Sequence, residues 1–180
     1  MKKFCIIFLL SIIISLTAVG LSGGLGETKT QNAEYIRIHI RANSNDSVDQ
    51  AVKYLVKDEI VEYLTPVVAR CTSKEKARKS VENSLSGIER VAKAVLKEQG
   101  FDYGASAAVK TESFPTRVYG EFVLEEGEYL ALIINLGEGA GNNWWCVIYP
   151  PLCFAGNTKT EIIYKSKIAE IIENWKKNRG

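Results

Sequence analysis

Histidine is nearly missing from this chain. His39 is the only one in 180 residues, so a site that needs two imidazoles cannot be built. Cysteine is sparse too. Cys5, Cys71, Cys146 and Cys153 form no C-x-x-C pair, which removes a zinc ribbon and a thioredoxin-like redox centre. Net charge is almost absent: 23 basic residues stand against 21 acidic ones, and Lys2 with Lys3 account for the difference. A body without excess positive charge lacks the basic face that nucleic-acid binding uses, so no nucleic-acid partner is expected. Disorder throughout is excluded in turn, because 24% charged and 46% apolar residues are ordinary values for a globular chain of about one domain.

Long apolar runs are scarce, with one exception at the N-terminus. Lys2 and Lys3 precede Phe4 to Leu21, which only Ser11, Ser15, Thr17 and Gly20 interrupt, and the next charge is Glu27. A positive n-region followed by a long apolar h-region is an export signal. As a helix the run would span roughly 27 Å, close to the ~30 Å hydrocarbon core. Residues 1–26 therefore read as a cleaved signal peptide or as an uncleaved signal-anchor helix, with small residues for cleavage at Ala18 and Gly20 or at Ser22 and Gly24. Cys5 comes before the h-region, the wrong place for lipid attachment. The lysines put the N-terminus in the cytoplasm and the body outside, and membrane contact is expected only through this segment. Residues 27–33 end a Gly/Ser/Thr/Gln-rich stretch and read as a tether, and 34–180 as a single globular domain.

Within the body, Tyr35 to Arg41 alternates strictly. Ile36, Ile38 and Ile40 share one face and Arg37, His39 and Arg41 the other, so the segment predicts a strand. Asn43-Ser44-Asn45-Asp46 offers turn and N-cap chemistry. A helix follows to about Leu64, where Thr65-Pro66 is expected to break or kink it. Thr72 with Glu75 matches a capping box for a second helix running to about Gln99. Ala107 to Thr111 predicts a strand, and Arg117–Leu124 with Glu128–Leu136 a hairpin around Glu125-Glu126-Gly127. Leu130 to Leu136 is almost continuously apolar, as a central strand buried on both faces would be. Asn143 to Tyr149 is another strand, stopped by Pro150-Pro151, and Thr158 to Arg179 an amphipathic helix. This order predicts an α+β fold, a mostly antiparallel mixed sheet with helices packed on one face.

Chemistry is hard to place on this frame. Gly137, Gly139 and Gly141 lead into a strand and not into a helix N-terminus, so they make no dinucleotide fingerprint, and no cofactor is expected. As a loop between two strands, with little side-chain bulk to order it, the segment is a candidate recognition loop. Asn143, Trp144 and Trp145 follow it. On a strand the two tryptophans face opposite sides, so either both are covered or one is an outward anchor for a partner. Arg37, His39 and Arg41 form a second candidate face. Cys146 and Cys153 flank the Pro-Pro bend, where an exported protein could bridge them by a disulfide or bury them as thiols. Cys71 is left over at a helix boundary and is expected to be free. A hydrolase would need Cys146 activated by His39, and the local sequence offers that pair no support.

The residues resemble a known family. Arg37-Ile38-His39-Ile40-Arg41-Ala42-Asn43-Ser44-Asn45, with Asp49-Gln50 and Val56-Lys57-Asp58, is similar to the opening of the stage II sporulation protein R family. Phe114-Pro115-Thr116-Arg117-Val118-Tyr119-Gly120 looks like its middle motif. Gly137-Glu138-Gly139, Asn143-Trp144-Trp145-Cys146-Val147 and Pro150-Pro151-Leu152-Cys153-Phe154 resemble its most characteristic stretch. Arg41 departs from the pattern, which has an aliphatic residue there. The resemblance implies an intercellular signal of endospore formation and not an enzyme. Such a protein is exported into the space between the forespore and mother-cell membranes. There it activates a membrane-embedded aspartic protease, which processes the precursor of an early mother-cell sigma factor. Two other classes stay open on the residues alone: an exported cysteine-dependent hydrolase using Cys146 or His39, and a structural envelope protein held by the N-terminal segment.

Overall fold

The alternation of Tyr35 to Arg41 resolves into strand β1, Ile36–Arg41, whose isoleucines are all buried. The computed structural model describes residues 34–119, 122–151 and 170–178. The expected signal or anchor helix, the tether 27–33, Cys153 and the expected C-terminal helix before residue 170 lie outside those residues. After β1 come helices α1, Ser47–Val68, α2, Lys74–Asn83, and α3, Leu85–Glu98. Strands β2, Ala105–Phe114, β3, Arg117–Tyr119, β4, Phe122–Leu124, β5, Gly127–Leu136, and β6, Asn143–Tyr149, follow. Residues 170–178 are helical and form the described part of α4. No helix among the described residues is long and apolar enough to cross a membrane.

The fold is α+β, and its main sheet is mixed, in the order β2-β5-β1-β6. β5 pairs antiparallel with β2 and parallel with β1, and β6 lies antiparallel on the other side of β1. The parallel pair requires a crossover between β1 and β5, and the helices supply most of it. β5 is inner, and Tyr129, Ala131, Leu132, Ile133, Ile134 and Leu136 are all buried. Burial on both faces is why its sequence shows no alternation. One face of the sheet carries Ile36, Ile38, Ile40, Leu132, Ile134 and Leu136. It packs in one cluster with Val52, Val56, Ile60 and Leu64 of α1, Ile88, Ala92 and Leu96 of α3, and Ile172 of α4. The helices thus hold one face, as their apolar stripes predict.

Three local expectations are corrected. First, α1 continues through Pro66 to Val68. Proline lacks a hydrogen-bond donor, and here it falls in the last turn. The Thr65 hydroxyl donates to Val61 O at 2.7 Å, and Ala69 N donates to Thr65 O at 3.0 Å. Second, the helix expected from Thr72 to Gln99 is two. Its N-cap is Ser73, whose hydroxyl accepts from Lys76 N at 3.3 Å. It ends at Ser84, which turns its side chain back to Ser80 O at 2.8 Å, a local alternative to the helical pattern. Third, Arg117–Leu124 does not pair with β5. It folds on itself as the small hairpin β3–β4, and β5 takes β2 over the whole run from Ala105↔Leu136 to Phe114↔Gly127. Pro115 follows β2 directly, and the ladder stops there.

Candidate functional site

Parallel pairing brings the C-terminal ends of β1 and β5 together, so the loops leaving them are neighbours. Crevices at such strand ends are common ligand sites in α/β sheets. Here the two loops are tied to each other. Gly141 N donates to Ala42 O at 2.9 Å and Ala140 N to Asn43 O at 3.1 Å. Glu138 N donates to Asn43 Oδ1 at 3.0 Å, and Asn142 N to Asn45 Oδ1 at 2.7 Å. The Asn43 side-chain amide donates to Asp49 Oδ2 at 2.8 Å, and the Tyr103 hydroxyl to Asp49 Oδ1 at 2.6 Å. Burial and the adjacent Asp49 carboxylate push the Tyr103 hydroxyl far above its usual range.

Lys53 closes the junction from α1. It is 1% exposed, and its ammonium donates to Gln50 Oε1 at 2.7 Å and to Asn142 O at 2.9 Å. Burial lowers its pKa to about 8. Gly137 and Gly139 adopt left-handed φ of +55° and +63°, which glycine alone takes without strain. The expected loop is exposed at Gly137, Glu138, Ala140 and Asn142, while its backbone is hydrogen-bonded to the loop after β1. Sequence patterning could not find this, because the partners of the loop lie about ninety residues upstream.

Asn143, Trp144 and Trp145 are half-buried, and the tryptophans face opposite sides of β6 as the strand period demands. Trp144 packs against the helical core, with the Lys57 ammonium 5.9 Å from its ring centre. Trp145 lies on the other face, which the β3–β4 hairpin covers. Arg117 sits 4.0 Å above its ring.

Under this hairpin two residues of the second candidate face, Arg37 and His39, form an interior polar layer, while Arg41 stays partly exposed. Arg37 is fully buried. Its guanidinium lies 4.2 Å from the Phe114 ring centre and 4.8 Å from that of Tyr129, and it donates to the Tyr119 hydroxyl at 2.9 Å. Among the described residues no carboxylate forms an ion pair with it. The aromatic faces stand in for a counterion, and Nε and Nη1 have no hydrogen-bond partner among the described residues. His39, 4% exposed, lies between Phe114 and Trp145, with ring centres 5.7 and 5.5 Å away. Its Nδ1 meets Glu112 Oε2 at 2.8 Å, and Arg41 donates to Glu112 Oε1 at 2.5 Å. Burial pushes the imidazole below its ordinary value, against the pull of Glu112. For Glu112, burial alone would raise the carboxyl. The hydrogen bond from His39 and the charge of Arg41 outweigh it and hold the carboxyl below the usual range. The neutral ring thus donates from Nδ1 to Glu112, and its Nε2 is buried.

A base needs a nucleophile, and Cys146 is not one for this histidine. Cys146 is paired in register with Ile38 and packs in the helix-side core, whereas His39 is paired with Trp145 and faces the hairpin. The sheet separates them, which corrects the cysteine–histidine reading. Cys146 is 7% exposed, and Cys153, its expected bridge partner, lies outside the described residues. Cys71 is free, its thiol 3.4 Å from Val67 O and 3.6 Å from Ser80 Oγ. Among the described residues no group of three His, Cys, Asp or Glu could hold a metal. Sequence reasoning missed Glu112, Tyr129 and Lys53. It had Asp49, Phe114 and Tyr119 only as motif letters, with no role attached.

A family model described as stage II sporulation protein R matches residues 32–159. A curated relative of that name from Bacillus subtilis (strain 168) is 35% identical over 177 residues, covering 94% of this chain and 79% of the relative. No solved structure matches.

Proposed function

The chain belongs to the stage II sporulation protein R family, and on that premise we propose that it is an exported, non-catalytic signal of endospore formation. It passes into the space between the forespore and mother-cell membranes by way of residues 1–26. There it binds the outward-facing part of a membrane-embedded aspartic protease. The activated protease then removes the pro-sequence of an early mother-cell sigma factor. The family relation carries this reading. The separation of Cys146 and His39 on opposite faces of the sheet supports it against the hydrolase alternative. Both polar clusters support it too, because their side chains are spent on holding loops and strands in place. Deletion of the gene, followed by an immunoblot for the sigma factor, tests it. Only the unprocessed precursor is expected, with the processed form restored by the intact chain. Normal processing in the deletion strain refutes the reading.

A further inference from the structure

Among the described residues, three large apolar side chains stand out in solvent, and one element carries them all. Val118, Phe122 and Val123 are 66%, 57% and 48% exposed, and they belong to β3 and β4. Val118 and Val123 are directly opposed across the hairpin, so they share its outer side, whereas Phe122 is opposed to Tyr119 and stands out beside the turn, where β4 begins. The inner side is held down by Arg117 on the Trp145 ring and by Tyr119, which accepts from Arg37. A two-stranded hairpin alone is marginal in water. Anchored in this way, it presents a fixed apolar ridge, the kind of exposed patch that marks an interaction site.

The rim of the ridge selects the occupant. Residues 113–128 contain four glutamates, Glu121, Glu125, Glu126 and Glu128, and a single basic residue, Arg117, whose guanidinium is already on Trp145. Glu125, Glu126 and Glu128 are exposed. An anionic membrane surface is repelled by such a rim. A second copy docking about a two-fold axis would set the same glutamates against one another. A protein groove that is apolar at its centre and basic at its edge complements both features.

We propose that the exposed apolar residues of the β3–β4 hairpin, Val118 and Val123 on its outer side and Phe122 beside its turn, dock into an apolar, basic-rimmed groove on the outward-facing part of the partner protein. This rests on the reading of the partner as the membrane-embedded protease. The test uses the full chain in the deletion strain. Wild type restores sigma-factor processing. Phe122→Asp, and the triple variant Val118→Asp, Phe122→Asp, Val123→Asp, restore about tenfold less or none, as expected for a hot-spot contact. These sites are exposed, so the melting curves of the variants should match wild type. A rim reversal, Glu125→Lys with Glu126→Lys and Glu128→Lys, leaves the ridge intact and should also lower processing. A photo-crosslinking phenylalanine at position 122 should form an adduct with the protease, and one at exposed Glu62 should not. Wild-type restoration with undiminished activity of the aspartate variants overturns the surface alone. Failure of the wild-type chain to restore processing overturns the functional reading, and the surface with it. Three other results also overturn the surface: an adduct from position 122 to another part of this chain, an adduct to a second copy, or ridge-dependent flotation with phosphatidylglycerol vesicles.

Discussion

Gly141 leaves no room for a side chain. A Cβ there would lie 2.0 Å from the carbonyl oxygen of Ser44 and 2.5 Å from its carbon. The obstacle is main chain, so no rotamer change relieves it. Gly141→Ala must push the loop after β5 away from the loop after β1. The hydrogen bonds from Gly141 N to Ala42 O and from Ala140 N to Asn43 O stretch first. Overpacking of this kind costs about 1–3 kcal/mol, and each lost hydrogen bond about 0.5–1.5 kcal/mol. Because the effects share one site they do not add fully, and a loss of about 2–4 kcal/mol is expected. At roughly 3 °C per kcal/mol for a domain of this size, the melting temperature falls by roughly 6–12 °C. Gly104→Ala is the control. The nearest atom to a Cβ there is Lys93 Cε at 3.8 Å, the end of a flexible side chain, so the change should be close to neutral. Urea and thermal unfolding of the two purified variants decide the matter. A Gly141→Ala protein within about 0.5 kcal/mol of wild type, the range of an ordinary surface substitution, refutes the pinned loop.

Lys53 gives a pH prediction. Its pKa falls from 10.5 to about 8 in the fold, so the unfolded chain binds more protons between those values, and stability rises with pH across that window. Between pH 8 and about 9.5, below the range where tyrosines titrate, urea midpoints of wild type should rise relative to those of Lys53→Met; parallel profiles contradict the burial of a charged lysine. His39 is the only histidine, so a single imidazole resonance reports it. Its titration should fall below 6.5, with the stability it contributes lost as pH drops from that value, and lower still in Glu112→Gln. A wild-type midpoint at or above 6.5 contradicts its placement. If Cys146 and Cys153 are bridged as we expect, Cys146→Ser and Cys153→Ser each lose about 2–3 kcal/mol, and the double variant no more than either. Alkylation of two thiols at these positions in the unreduced protein refutes the bridge.

The isoleucines of β1, the apolar run of β5 and the stripes of α1 and α3 were all legible, because each follows from side-chain period and burial on one element. What depended on contacts far apart in sequence was not. The alternation around Arg37 and His39 shows only that they oppose Ile36 and Ile38. Nothing local says that a hairpin some eighty residues later covers them, so Arg37 and His39, which read as polar surface, lie in a buried layer. Glu112 looks like any solvated acid on a strand until its partners on β1 are known. The glycines were legible as a loop but not as a pinned one, because the atoms that crowd Gly141 and Gly137 belong to Ser44 and Asn43. The break at Ser84 was hidden because apolar residues keep helical spacing on both sides of it.

The central claim is that this chain switches on a protease across a membrane-bounded space. Its most direct measurement places the chain, the membrane-embedded protease and the sigma-factor precursor together in a cell that is not sporulating, and follows the precursor by immunoblot. The account predicts cleavage only when the chain is present with its export signal intact, and none when Ile12, Ile13 and Ile14 are replaced by aspartate. Equal cleavage without the chain, or with a chain that stays inside the cell, contradicts it.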